Sequence, residues 1–264
     1  MRLEGKVAIV VGGGQQPGET IGNGRATAVR FAQEGAQVLV VDREQALADG
    51  TVQMIEDEGG NASAFEADIT EEAQCAAIAA TCVDRYGRID ILHNNVGRSR
   101  GDNNTIDMDA DMWDELMAMN LKGMFMTCKH VLPVMRSQQS GVILNVSSVS
   151  SLNSTETVTY KTSKGAVNTL THHIAMENAE FGVRANAILP GLMDTPLAIV
   201  RRSQERNVAP DVVRQERDAR VPLKKAMGTA WDVANAALFL ASDEASYITA
   251  VLLPVDGGIS SKIG

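Results

Sequence analysis

Short apolar runs rich in β-branched residues alternate with longer amphipathic segments along this whole chain, and that alternation leaves few folds open. Runs at residues 7–11, 38–41, 62–66, 91–93, 142–146, 183–188 and 251–255 predict strands. Helical periodicity predicts helices over 24–34, 46–58, 71–86, 109–136, 158–181 and 231–241, several of them followed by a stopping glycine such as Gly35, Gly59, Gly87 or Gly182. Strands separated by helices need crossover connections, and crossovers make parallel sheets. The strand segments read as apolar nearly throughout, as strands covered on both faces should. The expectation is an α/β fold, one doubly wound sheet of about seven parallel strands with helices on both sides, formed by residues 1–264 as a single domain. The stretch 192–225 is rich in Arg, Gln and Asp and shows no clear strand. It reads as a helical insertion or as a lid over a substrate.

Charge narrows the function classes. The net charge of −9 gives no electrostatic footprint for nucleic acid or an anionic membrane surface. No apolar stretch reaches spanning length, and the opening MRLEGKVAIVVGGG has no basic region ahead of an apolar one, so neither a membrane span nor a leader is expected. Cys75, Cys82 and Cys128 follow no metal or redox spacing, and His93, His130, His172 and His173 lack zinc-ligand spacing. Free thiols, no metal and a cytoplasmic location are the expectation.

After the first strand comes Gly12-Gly13-Gly14, then Gln15 to Thr20, then Ile21-Gly22-Asn23-Gly24. A glycine-rich turn entering a first helix is where a pyrophosphate sits, because backbone N–H groups approach the anion and the helix terminus adds positive charge. Asp42 closes the second strand, where a carboxylate accepts from both ribose hydroxyls of an adenosine and repels a 2′-phosphate. Arg43 beside it pulls the other way. Further on, Tyr160 and Lys164 stand at i and i+4, on one face of a helix. An ammonium beside a phenol favours the phenolate, and such a tyrosine exchanges a proton with an alcohol or carbonyl oxygen. Ser147 and Ser148 end the strand just upstream and offer a hydroxyl to the same oxygen.

In this order the motifs resemble those of the short-chain dehydrogenase/reductase family, over almost the full length. The glycine turn is followed by Asp68-Ile69, Asn94-Asn95-Val96-Gly97, Asn120-Leu121-Lys122-Gly123, Asn145-Val146-Ser147-Ser148, Tyr160-x-x-x-Lys164, Pro190-Gly191 through Met193 to Asp194-Thr195, and Val255-Asp256-Gly257-Gly258. The resemblance implies a Rossmann-type domain in a homotetramer, with the long helices at 109–136 and 158–181 packed against their copies. It implies that Tyr160 is the general acid/base, that Lys164 lowers its pKa and binds the nicotinamide ribose, that Ser148 orients the substrate oxygen, and that Asn120 holds a relay water. Thr195 is implied at the carboxamide. The implied cofactor residues are Gly12, Thr20, Ile21, Gly22, Gly24, Asp42, Asp68, Ile69, Asn94, Val96, Gly97, Tyr160, Lys164, Pro190, Gly191, Met193 and Thr195.

Two departures from the family pattern stand out. The glycine loop is about six residues longer than the usual Gly-x-x-x-Gly-x-Gly, and Thr20-Ile21-Gly22-Asn23-Gly24 resembles the enoyl reductase branch. That branch spaces its tyrosine and lysine further apart, so the chemistry here resembles the alcohol/ketone type. The extended loop is expected to fold over the pyrophosphate with Thr20 near a phosphate oxygen. Second, the Asn-x-Ser-Ser match selects Ser148 as the active serine, whereas spacing from Tyr160 selects Ser147. Ser148 is preferred because loops absorb deletions. The leading expectation is an NAD-dependent oxidoreductase, with NAD over NADP, acting on a secondary alcohol, a diol or the matching ketone. The alternatives are a 3-oxoacyl carrier-protein reductase and a catalytically silent nucleotide-binding protein. Substrate-pocket candidates are Val96, Arg98, Asn153, Ser154, Met193 and Leu197.

Overall fold

The computed structural model describes residues 1–153 and 155–262, so Ser154, one of the pocket candidates, lies outside the described residues. Seven strands, β1 (Val7–Val11), β2 (Gln37–Asp42), β3 (Asn61–Glu66), β4 (Ile91–Asn94), β5 (Gly141–Val146), β6 (Val183–Pro190) and, after two short strands outside it, β9 (Leu252–Val255), form one sheet in the order β3-β2-β1-β4-β5-β6-β9. Every pairing is parallel. The crossovers are α1 (Asn23–Gln33), α2 (Gln45–Asp57), α3 (Glu72–Tyr86), α4 (Ala110–Met117), α5 (Gly123–Gln138), α6 (Val158–Asn178) and α9 (Ala230–Ala241). The expected doubly wound α/β architecture is present.

Alternation along the central strands builds two cores. Val38 and Val40 of β2 pack with Phe31, Leu144 and Leu238 on one face, while Leu39 and Val41 pack with Ile78, Val131 and Ile143 on the other. Burial on both faces holds for the centre of the sheet and fails at its edges. β3 reads Asn-Ala-Ser-Ala-Phe-Glu and is half-buried, and Leu252 of β9 is exposed. An edge strand has one neighbour and less helix above it, so it does not need a continuous apolar run. Cys75, Cys82 and Cys128 are buried free thiols, and burial pushes them up to about 11, 12 and 12. Among the described residues no helix is long and apolar enough to cross a membrane.

The segment 192–225 departs from expectation. Within it Met193–Asp194 (β7) pairs with Gly228–Thr229 (β8) as a short parallel ladder, where no strand was expected. Beyond β7 lie α7 (Pro196–Arg206) and α8 (Pro210–Asp218), each opened by a proline in its first turn, where the missing N–H costs nothing. The predicted helix at 109–136 is also not continuous: residues Ala118–Lys122 form a π-turn between α4 and α5.

Strand order reverses between β1 and β4, so a crevice opens there beyond the carboxyl ends of the strands. Just behind it, His93 of β4 is fully buried, its ring edge-on to Phe31 at 6.1 Å, and neither ring nitrogen has a hydrogen-bond partner. Burial pushes the imidazole down to about 3 from an ordinary value of 6.5. Above pH 6.5 both folded and unfolded chains hold it neutral. Below that the unfolded chain binds a proton that the folded chain refuses until about pH 3, so stability falls with falling pH. Urea unfolding should show a loss of about 2 kcal/mol from this residue between pH 6.5 and 5. His93→Leu should be flatter over that range, and an equal drop in both proteins would contradict the assignment.

Candidate active site

At the crevice the glycine turn is shaped for close approach. The carbonyl of Gly12 sits so near α1 that a Cβ on Gly24 would lie 2.0 Å from it, which only glycine avoids. Asn95 ties the same carbonyl to the end of β4 through its Nδ2, at 3.1 Å. Below the turn Thr51 donates to the Gly13 carbonyl at 2.8 Å and accepts from Arg25 Nε at 2.9 Å. The N-terminus of α1 has no side-chain cap and no acidic residue in its first turn, so its positive end is open to an anion. At the end of β2, Asp42 accepts from the Gly14 N–H at 3.0 Å, and burial raises its carboxyl above the usual range. Arg43 leans to Glu44 at 3.9 Å. These features, a side-chain-free cradle, an uncapped helix terminus and a carboxylate at the ribose position, fit a dinucleotide, which Gly12, Gly22, Gly24 and Asp42 would hold.

The extended loop does not stand apart from this cradle. Gln15 buttons it, accepting from the Gly22 N–H at 2.5 Å and donating to the Thr20 carbonyl at 3.0 Å. From there it crosses to the segment from β7 to α8. Thr20 Oγ1 lies 3.5 Å from Asp194, Gly18 abuts Pro196, and Glu19 pairs with Arg214 of α8 at 2.9 Å. The loop thus joins the phosphate end of the crevice to α7 and α8, with the Thr20 hydroxyl turned to Asp194.

The reacting end is built where β4, β5 and α6 meet. Ser148 stands two residues past β5, capping the short turn Val149–Ser151, and its hydroxyl lies beside the Tyr160 phenol. Ser147 points elsewhere, donating to the Lys164 carbonyl at 3.0 Å, and Ser148 is the serine whose hydroxyl acts on Tyr160. Lys164 is only 2% exposed, and its ammonium donates to the carbonyls of Val146 at 2.8 Å and Val96 at 3.3 Å. Gly97 makes room for it, since a Cβ there would lie 2.7 Å from Nζ. Burial pushes Lys164 down to about 7. Asn120 sits in the π-turn, fully buried, and clamps Arg98 through both its N–H and its carbonyl at 2.9 Å while donating to Ser163 at 3.2 Å.

Two readings of the sequence are corrected here. The Lys164 ammonium lies 5.8 Å from the Tyr160 ring and faces backbone carbonyls. Burial raises the phenol above its ordinary value, and the groups that pull it back are Ser148, Arg201 and Arg202 rather than Lys164. Asn94 was expected at the cofactor. Its side chain instead faces the interior, donating to Asn145 at 3.0 Å and accepting from Thr127 at 2.9 Å, because an asparagine buried in a central strand must find partners there. Among the remaining predicted residues, Ile69 is buried below α5, Asp68 holds Thr70 at 2.7 Å, Gly191 hydrogen-bonds β9 at 3.0 Å, and Thr195 caps α7. The Met193 side chain packs into the core against Gly228, away from the pocket, and Leu197 is exposed.

One functional residue had no signal in the sequence. Asp102 caps α6 from the 98–109 loop, accepting from the N–H of Thr159 at 3.0 Å and of Tyr160 at 2.6 Å. The helix has no cap of its own, so Asp102 fixes the backbone of the tyrosine itself. Asp102→Ala should cost about 1–2 kcal/mol of stability. It should also lower kcat roughly tenfold, the equivalent of about 1.4 kcal/mol, with cofactor affinity unchanged and Asp102→Asn partly restored. A variant with normal kcat would show that this cap does not position Tyr160.

The glycine cradle, the Ser148–Tyr160–Lys164 group and Asn120 lie together beyond the carboxyl ends of the strands. A family model described as enoyl-(acyl carrier protein) reductase matches residues 19–260. The chain belongs to the short-chain dehydrogenase/reductase family. It is 36% identical over 260 residues to 2,5-dichloro-2,5-cyclohexadiene-1,4-diol dehydrogenase from Sphingobium indicum, covering 98% of each chain. It is 34% identical to levodione reductase from Leifsonia aquatica, covering 98% of this chain and 96% of that one. A crystal structure of a short-chain dehydrogenase/reductase from Burkholderia xenovorans, 40% identical, superposes with a TM-score of 0.92 over 100% of this chain and 99% of that one. As a member of this family the protein is an oxidoreductase acting on alcohols or ketones with a nicotinamide cofactor.

Proposed function

We propose that the protein is an NAD-dependent dehydrogenase of a secondary alcohol or vicinal diol. The observation that carries this reading is the convergence of Ser148, Tyr160 and Lys164 at the mouth of a crevice whose ribose position is held by Asp42. The enoyl reductase description of the matching model is outweighed by the Tyr160-x-x-x-Lys164 spacing, which sets the two side chains one helical turn apart.

When bound, the nicotinamide supplies the acceptor for the carbinol hydrogen. Ser148 donates to and orients the substrate oxygen, and Tyr160 takes the hydroxyl proton. Arg201 and Arg202 offset the cost of a phenolate in a buried setting. Lys164, pushed down to about 7, gives up a proton at little cost near neutral pH, and the Val146 and Val96 carbonyls hold its ammonium beside α6. The π-turn around Asn120 breaks the regular helical ladder, and Asn120 there holds the Arg98 backbone and Ser163 beside the reacting group.

A panel of secondary alcohols and diols, followed by NADH formation, tests the reading. Oxidation of at least one of them is expected, and no turnover of any alcohol or matching ketone with either nicotinamide would refute it. The same reading includes a cytoplasmic enzyme, whose buried thiols stay reduced, and a homotetramer. An apolar groove between α5 and α6, lined by Met117, Leu121, Phe125, Ala166 and Leu170, supports the association. Light scattering at micromolar concentration should give four times the mass of 28.2 kDa, and a monomer would contradict it.

A further inference from the structure

The lid carries more positive charge toward the reacting end than it neutralises. Two of its arginines are fully engaged with carboxylates. Arg214 binds Glu19, Asp194 and Asp211 at 2.9–3.2 Å, and Arg206 binds Glu216. The others are not. Arg202 of α7 makes one hydrogen bond, to the Ala198 carbonyl at 3.0 Å. Arg217 of α8 is 7% exposed and donates only to Met227 Sδ at 3.2 Å and the Met193 carbonyl at 3.4 Å. Among the described residues neither has a carboxylate within 4.0 Å, and nor does Arg220. Arg201 donates to Ser99 at 3.2 Å and stands 3.7 Å from Glu205, yet its buried Nε has no hydrogen-bond partner.

These guanidinium groups feel one another. Burial together with the charges of Arg202, Arg220 and Arg201 pushes Arg217 down to about 10, and Arg201 and Arg202 both act on the Tyr160 phenol. Partly buried like charges raise each other's free energy, and since Glu205 acts on Arg202 and Asp194 on Arg217 only from beyond 4.0 Å, an anionic ligand completes the cluster. The planar guanidinium fork matches an oxyanion with two parallel hydrogen bonds. Arg201 and Arg202 act as positive charges on the Tyr160 phenol, and Arg201 reaches Ser99, next to the Arg98 that Asn120 clamps. The uncapped N-terminus of α1 is the candidate for the cofactor phosphates.

We propose that the substrate is a secondary alcohol bearing an oxyanion, a carboxylate in its simplest form, which seats on Arg201 and Arg202 with Arg217 behind them. This deepens the dehydrogenase reading and rests on it for turnover. The arginines then select the substrate and hold its hydroxyl toward Tyr160 and Ser148.

Hydroxy carboxylates with the hydroxyl at positions 2, 3 and 4, each compared with its own primary amide, test the selection. The best acid should exceed its amide at least tenfold in kcat/KM, and Arg202→Met should raise KM for the acid by a similar factor. Amides turned over as well as their acids would overturn the proposal. So would an Arg202→Met variant whose NADH dissociation constant, read by fluorescence, weakens as much as the acid's KM, since the cluster would then hold a cofactor phosphate. A second readout needs no turnover. In the presence of NADH, millimolar butyrate or hexanoate should raise the melting temperature, butyramide or hexanamide should not, and the difference should vanish in Arg202→Met. Equal or absent shifts would sink the anion site. Carboxylate-specific shifts without oxidation of any alcohol would instead leave the site standing and remove the dehydrogenase reading.

Discussion

Tyr160→Phe is expected to lower kcat by about 10²–10⁴-fold, the range in which a positioned proton-transfer group acts. The fold should tolerate the change. The ring keeps its place on α6 and the Asp102 cap binds backbone, so only the hydroxyl beside Ser148 is removed. NADH affinity should stay within about tenfold of the parent, since a lost hydrogen bond to an uncharged group is worth roughly 0.5–1.5 kcal/mol at most. Loss of rate with binding retained separates a catalytic phenol from a structural one. Near-normal turnover would remove Tyr160 from the chemistry and with it the role of Ser148.

Cofactor choice is the second large effect. NAD should be preferred over NADP by at least about tenfold in kcat/KM, because a 2′-phosphate brought against a carboxylate costs several kcal/mol unless a cation compensates. Asp42 accepts from Gly14 at the end of β2, and Glu44 adds a second carboxylate while drawing Arg43 to itself. Asp42→Ala should reduce the preference, chiefly by lowering KM for NADP. Equal use of both cofactors by the parent enzyme would mean that Arg43 swings from Glu44 to the phosphate.

Much of this was legible in the sequence because its signals are local. The central strands are continuous apolar runs, so β1 was placed at residues 7–11 and the others within a few residues. The glycine turn, Asp42, Tyr160 and Lys164 sit at strand or helix ends, where spacing alone brings them to one edge of a parallel sheet. What was not legible depends on tertiary partners. Nothing in residues 118–122 marks a π-turn, and Asp102 caps a helix 57 residues further along the chain. Asn94 has the residue type of a ligand, and only its contacts with Asn145 and Thr127 reveal an interior support. The arginines of α7 and α8 read in sequence only as part of a helical insertion or a lid. Which of them lack carboxylates becomes visible only after Arg214 and Arg206 have found theirs.

Transfer of label from a carbon-deuterated substrate tests the central claim most directly. A secondary alcohol identified in the panel would be prepared with deuterium on the carbinol carbon and oxidised with NAD, and the NADH examined by NMR. The account predicts one deuterium at C4 of the nicotinamide, a single face labelled, and a slower rate for the deuterated alcohol in single-turnover measurements. Oxidised product without deuterium in the NADH would contradict the account.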